Sequence, residues 1–244
     1  MDGVASRAAD EPDGWPELRR AAGLELRAYR PDHVAERVRR ALARERADDT
    51  RGLAALLRRD AEARRRFRST VAVTASGMFR DRRQFELLER EVLPALMAGR
   101  QRLRVWSAGC AAGQELVSLA IVLDRLGGLE GARLLGSDVL EENLHAARRG
   151  DAEAGEVPAR LRRRLRCERR DVVTDPPPGG RWSLILCRNV AIYLGGAATT
   201  ALHERLAGAL ARGGVLLLGR SERLADPGGL GLARIGPNVY GRTA

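Results

Sequence analysis

The stretch Leu103–Glu115, LRVWSAGCAAGQE, decides the fold. Leu103 to Ser107 is a short run with the branched and aromatic residues of a strand. It breaks into a turn with glycines at 109 and 113, and from Glu115 to Arg125 apolar residues return at helical spacing. Strand, glycine-rich turn and helix together open a doubly wound α/β sheet. Downstream the pattern repeats. Ala132 to Ser137 reads as a second strand ending in Asp138, and 140–149 as a helix. Leu165 to Arg170 reads as a third strand, Trp182 to Cys187 as a fourth, and Thr199 to Leu210 as a helix. Gly213-Gly214 opens the apolar run Val215–Gly219, and Leu232–Ile235 pairs with Val239–Gly241 across Gly236-Pro237-Asn238. This alternation predicts an α/β fold: a mostly parallel sheet with helices on both faces, closed by an antiparallel C-terminal hairpin.

No strand pattern precedes residue 100. Residues 1–16 read as a polar, disordered tail with no apolar core of a signal peptide. Residues 17–72 read as a small all-helical domain. One helix carries Leu18, Ala21 and Ala22; a second starts at Pro31-Asp32 and runs to Arg46; a third is capped by Asp49 or Thr50; a fourth covers 60–68. Residues 73–100 read as a linker and lid segment, and 101–244 as the ligand-binding domain.

The chain has no lysine, so arginine alone supplies the positive side of its net charge of +11. Such a charge favours acidic partners, although an arginine-for-lysine coding bias produces it without selecting any partner. Only 4% of residues are aromatic, and no stacking platform for nucleic acid is visible. Cys110, Cys167 and Cys187 form no CxxC pair, which argues against a disulfide framework or a zinc site and fits a reducing cytoplasm. No apolar run reaches the ~18 residues of a membrane span.

Four places carry candidate chemistry. In GCAAGQE, 109–115, Gly109 and Gly113 allow a ligand close to the backbone at a helix N-terminus; a tight connection explains the same residues. Asp138 ends the second strand, 25 positions after Gly113, where a carboxylate accepts both ribose hydroxyls of an adenosine; an N-cap is the alternative. Turn and acid together bind a nucleoside without distinguishing S-adenosylmethionine (SAM) from a nicotinamide cofactor. CRNVAIYL, 187–194, brings a guanidinium, the Asn189 carboxamide and the Tyr193 phenol to the cleft edge, with Asn189 suited to an amino-acid end; a polar loop with Tyr193 packed under a helix is the bland alternative. SGMFRD, 76–81, carries Arg80, whose planar fork suits a carboxylate; an ordinary surface arginine of an arginine-rich chain is the alternative.

At these residues the sequence resembles the CheR-type protein-glutamate O-methyltransferases, from about Gly23 to Arg242. VWSAGCAAGQE is similar to the family's VWSAGCSTGEE, SDVLEENLHAARRG to SDIDxxxLxxAxxG, and LLGRSE to LLGHSE. LILCRNVAIYL nearly reproduces LIFCRNVLIYF, and TASGMFRD resembles TxFFRD. The resemblance implies a Rossmann-like SAM methyltransferase that releases S-adenosylhomocysteine (SAH). By position it assigns Ser76, Arg80, Gly109, Gly113, Glu115, Asp138, Val139, Asp171, Val172, Asn189 and Val190 to the cofactor, with Asp171 and Val172 flanking adenine. Arg80 and Tyr193 would assist catalysis. It implies an acidic protein acceptor such as the cytoplasmic part of a chemoreceptor, docking on the helix that carries Arg37, Arg40 and Arg44, and no metal. The sequence departs from the family at Ser76, Met78, Gln114, Leu140 and Arg220. Only 20 residues separate Gly150 from Asp171, where the family inserts a small β-subdomain that contacts the receptor or its tether. Rival readings are methylation of another protein or a small molecule, and a SAM- or SAH-binding module without turnover.

Overall fold

The computed structural model describes residues 12–73, 77–99, 102–149, 151–152 and 155–243. Ser76 and most of the expected tail lie outside the described residues. The chain forms two compact units that divide after Val71.

The first unit is helical: α1 (Trp15–Ala22), a 3-10 turn (Leu26–Ala28), α2 (Pro31–Glu45), α3 (Thr50–Arg59) and α4 (Ala61–Val71). Its core holds Trp15, Leu18, Leu26, Val34, Val38, Leu53, Leu57 and Phe67. Two residues of the expected tail belong to this core unit: α1 begins at Trp15 and Pro16, because burying the indole outweighs the polarity of its neighbours. Asp49 caps α3, its Oδ1 accepting the Gly52 N–H at 2.7 Å. In α2, Ala41 is buried with Val34 and Val38, while Leu42 is half-buried. Three arginines of that helix are internally paired. Arg39 and Arg40 share Glu36, and Arg44 donates to Glu45 at 2.8 Å.

The second unit holds a seven-stranded sheet in the order β5-β2-β1-β6-β7-β9-β8. The strands are β1 (Leu103–Ala108), β2 (Ala132–Asp138), β5 (Leu165–Arg169), β6 (Trp182–Cys187), β7 (Leu210–Leu218), β8 (Leu232–Gly236) and β9 (Val239–Arg242). β5, β2, β1, β6 and β7 are parallel; β9 and β8 complete the sheet antiparallel. This is the α/β architecture expected from the sequence. Every residue of β6, WSLILC, is buried, as a central parallel strand requires. Leu103, Val105, Leu184, Leu186, Val215 and Leu217 alternate onto one face and build the core with α7 (Gln114–Arg125). β7 starts five residues before Val215, with Gly213-Gly214 absorbed in an irregularity opposite β6. α10 spans Gly196–Ala209 and begins earlier than its sequence suggests.

Two regions differ from expectation. Residues 73–100 are not simply a linker and lid. α5 (Arg82–Leu87), a π turn (Leu88–Val92) and α6 (Leu93–Ala98) run without a break, and Phe85, Leu88, Val92, Leu93 and Leu96 join the sheet's core. Pro94 accounts for the π turn, since it has no N–H to give the preceding turn. After α8 (Glu141–Arg149), where a β-subdomain had little room, there remains a minimal antiparallel pair. β3 (Asp151–Ala152) and β4 (Gly155–Glu156) are two residues each, followed by α9 (Ala159–Arg162).

Candidate functional site

The site gathers where β1, β2, β6 and β7 end, the edge at which parallel sheets take ligands. Four non-glycine residues there hold left-handed backbone: Phe79 (φ 50°), Asp81 (59°), Ala111 (47°) and Asn189 (59°). Such conformations cost about 1–3 kcal/mol each and persist only where neighbours over-determine them. Each of these residues is tied by a side chain distant in sequence. Phe79 N–H donates to Ser118 Oγ at 3.0 Å, and Ala111 N–H to Asp138 Oδ2 at 3.0 Å. Asp81 Oδ2 accepts from Arg188 at 2.9 Å, and Asn189 N–H donates to Glu222 Oε2 at 2.8 Å.

Asp138 is buried, and burial pushes its carboxyl above the usual range, against the Leu140 N–H that favours ionisation. Oδ1 accepts from Leu140 N–H at 2.9 Å and Asn143 Nδ2 at 3.0 Å. Among the described residues Oδ2 accepts the Ala111 N–H alone, which leaves one lone pair for a ligand hydroxyl. N-cap and ligand acceptor, posed above as alternatives, are therefore compatible. The Arg170 N–H donates to the Asp138 carbonyl at 2.9 Å and so brings the turn after β5 beside this carboxylate. On that turn Asp171 is half-buried, its carboxyl raised by burial while accepting the Val173 N–H at 2.9 Å; Val172 is buried and Val139 half-buried.

The glycines also serve the packing of the site. A Cβ on Gly109 would lie 2.6 Å from Val190, and one on Gly113 would lie 2.7 Å from Ala147. On the Cβ side of each glycine, protein atoms occupy the space that the missing side chain leaves. Gly109 thereby seats Val190, and Gly113 lets α7 close against α8.

Arg188, in a motif where only Asn189 and Tyr193 drew a role, is not at the cleft edge. Its side chain is 3% exposed. Nε donates to Gln84 Oε1 at 2.9 Å, Nη1 to Glu115 Oε2 at 2.9 Å, and Nη2 to the Arg80 carbonyl at 2.6 Å and to Asp81 Oδ2. Its guanidinium also lies 5.4 Å from the centre of the Phe85 ring. Glu115 takes a second bond, from Ser107 Oγ at 2.7 Å, and keeps 12% exposure and a lone pair on each oxygen. Glu222 was likewise missed. Its buried carboxylate accepts the N–H groups of Asn189, Val190 and Gly219 at 2.7–2.9 Å and Ile192 at 3.3 Å. The only sequence signal for either was its presence in the strings CRNV and GRSE. Arg80 is exposed between the two left-handed residues of its segment, and Tyr193 is half-buried in a 3-10 turn, Ala191–Tyr193.

The residues fit SAM by the chemistry of their acceptors: a buried carboxylate with a spare lone pair for the ribose at Asp138, and a partly exposed one at Glu115. Among the described residues no cluster of His, Cys, Asp and Glu can hold a metal. Cys110 and Cys187 are buried, and burial pushes both thiols well above the usual range, so neither is a nucleophile. A groove of about 740 Å³ runs beside Asp81 and Gln84, bordered by Arg83, Arg90, Arg220 and Asn238.

Comparison with known proteins agrees with this geometry. Residues 74–157 and 150–230 match the family described as CheR methyltransferase, SAM binding domain. The chain is 30% identical to a chemotaxis protein methyltransferase of Listeria innocua, over 93% of this chain and 94% of that one. It is 29% identical to the Listeria monocytogenes protein of the same name over the same shares. It is 34% identical to chemotaxis protein methyltransferase 1 of Pseudomonas aeruginosa, over 60% of this chain and 65% of that one.

Proposed function

The chain belongs to the CheR methyltransferase family and is a SAM-dependent methyltransferase, and we propose that its acceptor is a glutamate side-chain carboxylate in an acidic, chemoreceptor-like protein. The observation that carries this reading is Arg80, held exposed between two left-handed residues, with its carbonyl fixed by buried Arg188. An arginine so presented suits a planar anion.

SAM supplies an already electrophilic methyl group. A glutamate carboxylate, with an ordinary pKa near ~4.3, is ionised at neutral pH, so transfer requires no general base. The chain's task is placement. Asp138 takes the ribose, Glu115 the cationic amino-acid end, and Asp171 with Val172 the adenine. Val139, Asn189 and Val190 line the remainder. Arg80 orients the acceptor carboxylate and Tyr193 borders its approach. No Ser-His-Asp or Cys-His relay enters this scheme, and His33, His145 and His203 lie outside these motifs.

The acceptor docks through α2, where exposed Arg40 and Arg44 align with half-buried Arg37. Docking there exchanges the internal partners Glu36 and Glu45 for the acceptor's carboxylates. Each exchange gains little, so this helix steers the acceptor more than it anchors it. The three unpaired thiols and a charge suited to acidic partners fit a cytoplasmic enzyme acting on the cytoplasmic part of a receptor; no helix among the described residues is long and apolar enough to cross a membrane.

The test is methylation of acidic helical receptor fragments across ionic strength, beside small carboxylic acids. The expected result is a catalytic efficiency on the fragments that falls steeply with salt while SAH affinity holds. Arg37→Glu with Arg40→Glu reproduces the fall at low salt. Salt-independent methylation of a small acid, with no fragment modified, would replace this reading by a small-molecule one, which the minimal β3–β4 pair favours.

A further inference from the structure

We propose that Arg188 is a positioning residue that couples the cofactor side of the site to its acceptor side. The inference rests on the reading that Glu115 faces SAM and Arg80 faces the acceptor.

Two segments far from Arg188 in sequence, 80–84 and the start of α7, meet on this one side chain. Glu115 stands in the first turn of α7, 73 residues before Arg188, and Gln84 stands 104 residues before it. The Arg80 carbonyl and the Asp81 carboxylate complete the set. The guanidinium is a rigid plane with five donors, so its acceptors cannot rotate independently of one another. Two carboxylates, Asp81 and Glu115, balance its buried charge, and the Phe85 ring lies beside it.

Both sides of the site depend on this plane. On one side, Glu115 Oε2 is held by Arg188 and Oε1 by Ser107, which fixes where the remaining lone pairs of the carboxylate point. On the other, Arg80 lies between left-handed Phe79 and Asp81, and the Nη2 bonds to its carbonyl and to Asp81 hold that turn. A lysine here keeps the charge but offers one ammonium where the site needs a planar fork. Arg188 touches neither methyl donor nor acceptor in this scheme; it acts through Glu115 and Arg80.

A double-mutant cycle on SAH affinity, read by calorimetry on the full chain, tests the cofactor half. Arg188→Lys and Glu115→Gln should each weaken SAH about tenfold. The double variant should be no weaker than the worse single one, because both remove the same coupling. As a second readout, guanidinium ion at low millimolar concentration should restore SAH affinity to Arg188→Ala, whereas sodium chloride at equal ionic strength should not. On a methylated receptor fragment, Arg188→Lys should lower kcat beyond what its loss of cofactor affinity explains, reporting the Arg80 half.

Additive losses in the cycle would overturn the proposal, as would SAH affinity in Arg188→Lys equal to that of the unaltered chain. So would guanidinium that raises the melting temperature of Arg188→Ala and leaves its SAH affinity unrestored, since Arg188 would then serve only the fold. If the unaltered chain binds SAH yet methylates no receptor fragment, the acceptor reading fails, while the cycle and the rescue still decide the cofactor half for Arg188.

Discussion

Asp138 serves the fold directly and, on the proposed function, the ligand as well. Its carboxylate satisfies the Ala111 and Leu140 N–H groups and Asn143 Nδ2, and it keeps a lone pair free. Asp138→Ala should therefore weaken SAH by at least ~1.5 kcal/mol and destabilise the fold by about 1–3 kcal/mol, since it leaves buried donors unsatisfied. Calorimetry and thermal melting measure the two separately; unchanged SAH affinity in a folded variant would remove Asp138 from the site. At this scale the sequence was legible where chemistry is local. A carboxylate at a strand end and glycines in a strand-to-helix turn are visible in a linear string. Arg188 and Glu222 were not, because their roles reside in partners up to 104 residues away. Gly109 and Gly113 are visible in the string, but their packing partners Val190 and Ala147 are not, since no one-dimensional pattern names a neighbour that far along the chain.

Among the elements, the 77–98 region shows most clearly what periodicity conceals. Pro94 and two left-handed residues interrupt its pattern, so it reads as a linker, yet its apolar residues are core. Arg80 occupies the part that faces away from that core. Arg80→Ala should keep SAH affinity within a few fold and lower turnover sharply, the signature of an interaction used in the transition state. Parallel SAH calorimetry and steady-state kinetics check it, and equal loss of both would mean that Arg80 serves only to hold its segment. Helix α10 carries a second testable element. His203 is buried in it, and burial alone lowers its pKa. A lowered folded pKa means that the unfolded chain binds the proton first. Stability should thus be full above about pH 6.5 and be lost as the pH falls from there toward the folded value. Melting temperatures across that range should show the decline, and His203→Gln should flatten it.

For the whole molecule, the mostly parallel sheet with its antiparallel C-terminal hairpin is legible in the alternation of strand and helix, whereas the order of its strands is seen only in the structure. The extent of the insertion after α8 was legible only as a count of residues; the structure shows it reduced to β3 and β4. The net charge of +11 is a property at this scale too: it is the excess of 43 basic over 32 acidic residues, while Arg39, Arg40 and Arg44 of α2 have acidic partners within the chain. Electrostatic docking is therefore a matter of steering, visible in salt dependence more than in affinity. With the β-pair so short, a receptor-type C-terminal tether on the acceptor should bring no gain in rate, which paired assays of tethered and untethered fragments measure. The most direct test of the account is transfer of the labelled methyl group of SAM to an acidic receptor fragment by the purified chain, followed by mild base. The expected result is label on the fragment as a carboxyl methyl ester, hydrolysed by base to labelled methanol, and lost when the acceptor glutamates are replaced by glutamine; base-stable label, or label that survives that replacement, would contradict the proposed function.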